Sequence, residues 1–355
     1  YDDWEKAGCT GWGWDRIGKQ YVALEDHVLG AEEWRGTGGP LKISQHPSDN
    51  PLCDAILDAA GEMGVPTVED VNHVDVVADQ GMGYQVLTTH KGKRFSAAKA
   101  FLDPVRDRPN LDILTGLRVE RILFEGKRAS GIQLANRKIA SQGEIILSAG
   151  AVESPKLLEL SGIGDSARLQ ALGIEPLVDS PLVGENLREH RYVAVDWKVK
   201  SGSSNRNLQG LSLLAAVLRY FLLSSGPMTD AAHEVGGFIK TSPELARPDA
   251  QIGSMLVTMS IGADGAPVLD KFPGMRVLGY FTRPESRGWT HIASKDPAES
   301  PAINANHFAE QIDRRTAVDL FKWLRRLGRQ PALSQWITEE TGKGVAFQTD
   351  EEIAA

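Results

Sequence analysis

The chain has 355 residues, 41% hydrophobic and 24% charged, with a formal net charge of -8. That is apolar material for a large core and, at roughly 100–200 residues per domain, about two domains. The acidic balance argues against a nucleic-acid partner, because phosphate binding needs concentrated Lys and Arg and no long basic block occurs. With only Cys9 and Cys53 there is no disulfide framework, CxxC pair or Cys/His metal spacing, so no metal is expected and a reducing, cytoplasmic setting is the default.

The opening forty residues mix Tyr1, Trp4, Trp12, Trp14 and Tyr21 with glycines and charges and end in Gly36-Thr37-Gly38-Gly39-Pro40, which predicts an irregular, half-buried segment. Asn50 to Gly64 reads as a helix. Asn50 caps it, Pro51 suits its first turn, and Leu52, Ile56, Leu57 and Ala60 share one face. A second amphipathic stretch runs from Ser96 to Val105 and closes at Pro109-Asn110. The period then becomes strand-like. Leu111 to Thr115, Arg118 to Phe124 and Ala129 to Leu134, separated by glycine turns, predict a small antiparallel meander.

Glu144 to Gly150 reads as a strand buried on both faces that runs into a helix at Ser154-Pro155. A glycine at such a turn either redirects the chain or lets a ligand approach the backbone and the free N–H groups of the helix start. After Gly184-Glu185-Asn186 the residues alternate from Arg191 to Val199. The nearly apolar run Leu211 to Leu223, broken only by Arg219, is about thirteen residues long where a membrane span needs roughly twenty, and it predicts a buried helix. Strand-like runs follow at Gly236 to Lys240, Gln251 to Met259 and Met275 to Thr282, which suggests a second, sheet-based domain. Asp313 to Leu327 is an amphipathic helix stopped near Pro331. Tyr1 follows no Met or apolar leader and Ala355 closes an ordinary acidic stretch, which predicts an internal piece of a longer protein.

Leu147 to Gly164, reading Leu-Ser-Ala-Gly-Ala-Val-Glu-Ser-Pro-Lys-Leu-Leu-Glu-Leu-Ser-Gly-Ile-Gly, resembles the second signature of the glucose–methanol–choline oxidoreductases. Val183-Gly184-Glu185-Asn186-Leu187-Arg188-Glu189-His190 is similar to that family's VGENLQDH, and Leu172-Gly173-Ile174 lies between them. Tyr1-Asp2-Asp3-Trp4 with Gly11 to Trp14, Ser96 to Leu102 with Arg108 to Leu111, Glu234 to Phe238, Arg283 to Gly288 and Asp296-Pro297 also fall in family order.

The resemblance implies a mixed α/β fold, with part of an FAD-binding dinucleotide-fold domain interleaved with an antiparallel-sheet substrate domain. Residues 1–90 would form an irregular and helical segment on the substrate or lid side and 91–185 part of the FAD-binding domain. Residues 186–300 would form the substrate domain, and 301–355 a helix returning toward the FAD-binding domain. It implies FAD as cofactor, with Val119 at the adenine and Ser148, Ala149 and Gly150 beside the ribose and pyrophosphate. It also implies oxidation of a primary alcohol to an aldehyde, with an electron acceptor that the residues do not identify.

No GxGxxG occurs, and His27, His46, His73, His90, His190, His233, His291 and His307 all lie outside the family's catalytic position, so each is expected to be structural and the catalytic base to lie outside this chain. Glu234 is the candidate substrate residue. It either meets a cationic head, as a carboxylate does in choline-oxidising relatives, or ends its strand as a structural group. The competing reading is a stand-alone binding or structural module of the same fold. A nicotinamide-dependent dehydrogenase fits least, because it too needs the glycine-rich turn.

Overall fold

A computed structural model describes residues 1–45, 49–229 and 231–354. His46 lies outside the described residues. The chain forms two compact units: Tyr1–Leu111 with Tyr192–Thr282 and Arg315–Ala355, and Asp112–Arg191 with Arg283–Arg314.

The first unit is built on a six-stranded antiparallel sheet in the order Ile337–Thr341, Tyr192–Val199, Gly274–Phe281, Ala250–Met255, Val235–Ile239, Gly81–Tyr84. Side chains alternate across such a ladder. Val195, Trp197 and Val199 turn inward with Met275, Val277 and Ile252 against Leu52 and Ile56 of the helix Pro51–Glu62 and Leu320, Phe321, Leu324 and Leu327 of the helix Gln311–Arg329. Asp196 and Arg276 are register partners on the opposite face, joined by two hydrogen bonds of 2.6 and 2.8 Å. The Asn50 carboxamide oxygen accepts the Leu52 N–H at 3.1 Å, so the helix starts at its expected cap.

The opening segment is more regular than its composition suggests, with helices at Asp2–Lys6 and Trp14–Leu24. Gly18 reads as a breaker but serves packing. A Cβ there would stand 2.7 Å from the Trp34 ring, and Trp34 in turn packs on Trp14 with ring centres 5.5 Å apart. The run Leu211 to Leu223 does form a helix, Gly210–Leu223, but it is not buried: Leu211 is 87% exposed and Ala216 alone among its residues is in the core class. Apolarity marked it as a core element, yet no described element packs over its outer faces.

The second unit holds the three-stranded meander Val119–Glu125, Arg128–Leu134, Lys138–Ala140. Leu111 to Thr115 was expected to supply its first strand and instead forms no strand. The tight turns at Gly126 and Arg137 bring 138–140 into the open edge, while Leu114 stays 54% exposed. Ile122 N–H donates to Ser161 Oγ at 2.8 Å, which ties the meander to the helix Gly150–Leu160. The expected strand at 144–150 is likewise absent. Residues 144–148 pair with no strand among the described residues, and Ile146 is 83% exposed. A run apolar on both faces needs a ladder on each side, and apolarity alone supplies none. The helix behind it begins at Gly150, four residues earlier than expected. Pro155 is tolerated so close to its start because only one hydrogen bond, to the 151 carbonyl, is lost.

Candidate functional site

In the second unit, Ser148, Ala149 and Gly150 are exposed at the start of the helix Gly150–Leu160. Gly150 takes φ +85°, and a Cβ built on it meets no atom within 4 Å. The Ala149 N–H donates to Ser154 Oγ at 3.1 Å. This turn therefore presents bare main chain to open space, next to helix-start amides. Glu153 in the first turn is the partner of buried Lys156 at 3.6 Å, so that lysine is not available to an approaching anion. Val119 opens its strand half-buried, paired with Leu134, and no hydrogen bond joins it to residues 148–150 among the described residues.

The second unit also contains a buried cluster that the sequence reading missed. His291 places Nδ1 2.7 Å from Glu159 Oε1 and Nε2 2.9 Å from Glu185 Oε1, and the second Glu159 oxygen accepts the Ile292 N–H at 2.8 Å. The ring stacks on Trp289 with centres 5.3 Å apart. Gly184 has φ +83°, and a Cβ on it would reach 2.7 Å from His291 Nδ1. The run Gly184-Glu185-Asn186 is thus a joint. Its glycine makes room for the imidazole and its glutamate closes the far side, which fastens the helix 150–160 to the strand Gly288–His291.

In the first unit, a cleft of about 260 Å³ opens on the sheet, lined among others by Gln85, His233, Gln251, Gly253, Leu278 and Tyr280. Tyr280 Oη donates to Gln251 Oε1 at 2.6 Å, and burial pushes the Tyr280 phenol up from its ordinary value. The His233 ring lies over Gly253, where a Cβ would stand 2.8 Å from Nδ1. That Nδ1 is buried against Gly253, and burial lowers the imidazole below its ordinary value, with the Ser254 backbone opposing the shift.

Glu234 does not line this cleft. Its side chain is turned to the helix Pro51–Glu62, where the Cys53 thiol donates to Oε2 at 3.4 Å. It is 9% exposed and forms no ion pair among the described residues, which is uncommon for a buried carboxylate. Strand alternation makes Leu278 and Tyr280 a legible pair, whereas His233 needed knowledge of Gly253, twenty residues on.

A larger cavity of about 430 Å³ surrounds His27, Glu32, Arg35, Asp70 and His73. Its polar groups are already engaged. Arg35 donates to Asp70 Oδ2 at 2.7 Å and to the Gly30 carbonyl at 2.8 Å, and His27 Nδ1 accepts the Leu29 N–H at 3.2 Å. It is a structural hub under the opening segment. No group of three or more His, Cys, Asp or Glu among the described residues could hold a metal.

The profile of the GMC oxidoreductase family matches residues 1–192. Over 361 residues the chain is 33% identical to human mitochondrial choline dehydrogenase, covering all of this chain and 60% of that protein. It is 31% identical to "Alcohol dehydrogenase [acceptor]" of Pseudomonas putida, again over all of this chain and 65% of the relative. The chain thus spans less than two thirds of the length of these curated relatives. Among solved structures, pyridoxine 4-oxidase from Mesorbium loti superposes with a TM-score of 0.82 at 27% identity, covering 100% of this chain and 66% of that one. A formate oxidase variant of Aspergillus oryzae, studied for its FAD modification, superposes at 0.88 and 26% identity over 100% of this chain and 68% of that one. Family profile, curated relatives and solved structures agree that the chain belongs to the GMC oxidoreductase family.

Proposed function

We propose that the protein oxidises a primary alcohol to its aldehyde with FAD, with cofactor-side residues in the second unit and substrate-side residues in the first. The observation that carries this reading, beyond family membership, is the cleft on the six-stranded sheet, an apolar pocket into which His233 and the Tyr280–Gln251 pair bring polar groups. Bound FAD supplies the acceptor for the hydride that leaves the alcohol carbon.

The residues fit that cofactor through backbone. Open space over Gly150 and exposed main chain at Ser148 and Ala149 admit close approach, and half-buried Val119 opens its strand for the adenine. His233 lines the cleft that would receive the alcohol, beside the Tyr280–Gln251 pair. Burial makes it a weaker base than an ordinary histidine, so the hydroxyl proton passes to a base outside these residues. Glu234 has no cationic partner among the described residues, and because its carboxylate faces Cys53 and not the cleft it would favour an alcohol with a cationic head through its field alone. That is the class named by the choline dehydrogenase relatives. Cys9 and Cys53, neither of them in a disulfide among the described residues, support a reducing, cytoplasmic setting.

The test compares choline with an uncharged alcohol of the same shape, using the natural full-length protein loaded with FAD. Alcohol-dependent bleaching of the flavin spectrum is expected with both. Glu234→Gln is expected to raise KM for the cationic alcohol alone, by a factor equivalent to about 1–3 kcal/mol for one charge at a buried site. An equal rise for both alcohols would leave Glu234 a structural group. A normal flavin spectrum that no alcohol bleaches would favour the non-catalytic module.

A further inference from the structure

The helix Gly210–Leu223 combines two properties that ordinarily exclude each other, being almost wholly apolar and almost wholly exposed. Leu211, Leu214, Leu218, Phe221, Leu222 and Leu223 all project into solvent, with Phe221 at 72% and Leu222 at 77%. Exposed apolar residues scattered singly are ordinary, but a contiguous set on one element marks a surface that is covered in use. A helix that is hydrophobic all round belongs in a core or a membrane. At 14 residues it is about 21 Å long, against a hydrocarbon core of about 30 Å. No helix among the described residues is long and apolar enough to cross a membrane. It can lie in a lipid surface and cannot span one.

Charge says which surface. The hairpin Thr89–Arg94 packs against the end of this helix: a Cβ on Gly92 would overlap the Ser224 carbonyl, and Thr89, Gly92, Arg94, Tyr220 and Met228 line one groove. The hairpin brings exposed Lys91, Lys93 and Arg94 to the end of the helix that also carries exposed Arg219. None of these four cations forms a salt bridge among the described residues, although the whole chain carries a net charge of -8. An acidic protein that gathers unpaired cations beside its most exposed apolar helix is complementary to an apolar layer with an anionic rim. A second copy of the chain fits worse, because a twofold contact through this helix brings the same basic hairpins together.

We propose that the helix Gly210–Leu223 and the hairpin Thr89–Arg94 dock this protein on anionic lipid membranes, with the helix lying in the plane of the surface and Lys91, Lys93, Arg94 and Arg219 against the headgroups.

The experiment is flotation of the full-length protein with phosphatidylcholine vesicles, with and without about 30% phosphatidylserine. Binding is expected only with the anionic lipid and is expected to weaken as salt is raised. Leu218→Glu with Phe221→Glu removes the inserted face at positions already exposed, so folding, followed by circular dichroism, is unaffected while flotation is lost. Lys93→Glu with Arg94→Glu leaves the helix intact and weakens binding at least about fivefold per cation.

The proposal is overturned by an absence of flotation with anionic vesicles, or by binding that is indifferent to lipid charge and to Lys93→Glu with Arg94→Glu. A lipid-free dimer that Leu218→Glu with Phe221→Glu dissociates would overturn it by assigning the face to a second copy. Failure of a water-soluble maleimide to label Leu218→Cys, in a Cys9→Ser background without vesicles, would overturn it by showing that another segment of the protein covers the helix.

Discussion

Gly150 combines φ +85° with open space where its side chain would be, so two demands on that position can be separated. A β-branched residue is strained there by the backbone alone, whereas asparagine adopts left-handed conformations readily and would only fill the space. If the cofactor lies against this turn, Gly150→Val lowers both flavin content and melting temperature. Gly150→Asn lowers the flavin-to-protein ratio while leaving melting of the apoprotein nearly unchanged. Full flavin occupancy in Gly150→Asn would remove the turn from the cofactor site. The glycine was legible because it follows an apolar run and precedes a helix pattern. His233 was not, since its place depends on Gly253 in a neighbouring strand, and the His291–Glu159–Glu185 cluster draws on three distant segments.

The helix Pro51–Glu62 carries its boundary in its own sequence, and its cap does double duty: Asn50 accepts the Leu52 N–H at 3.1 Å and donates to the Gly202 carbonyl at 2.7 Å. Asn50→Ala is expected to destabilise by about 1 kcal/mol from the cap alone, with more from the stranded Gly202 carbonyl. Asn50→Asp keeps the cap, cannot donate to Gly202, and should fall between the two in urea unfolding. Equal stability of all three would show that the cap contributes nothing. Elements were readable where local signals and packing agree, as here, and misread where packing decides. Residues 144–148 and 210–223 are both apolar, but no neighbour among the described residues covers Ile146 or Leu211, and apolarity does not reveal what it will pack against. Gly81-Met82-Gly83-Tyr84 forms a sheet edge despite its two glycines. Those glycines allow tight backbone approach, since a Cβ on Gly237 would overlap the Gly81 carbonyl and one on Gly83 the Val68 carbonyl.

Across the whole molecule, acid is expected to act first through buried histidines. Burial lowers His27 and His233 below the ordinary 6.5, with nearby Asp70 opposing the shift at His27. The unfolded chain therefore binds protons that the folded chain refuses, and stability rises with pH in that window. Both groups contribute fully above about pH 6.5, and their contribution is lost as pH falls toward their lowered folded values. Glu25 works in the opposite sense: burial raises its carboxyl from 4.5, so it favours the folded state below that value and ceases to as pH rises through the shifted one. Melting temperature should fall between pH 7.5 and 5.5, at about 2–4 °C per kcal/mol for domains of this size. His27→Asn with His233→Asn should flatten that slope, because asparagine offers an acceptor near the Nδ1 position and carries no titrating charge. A slope unchanged in the double variant would place the acid sensitivity in other groups and remove the neutral state assigned to His233.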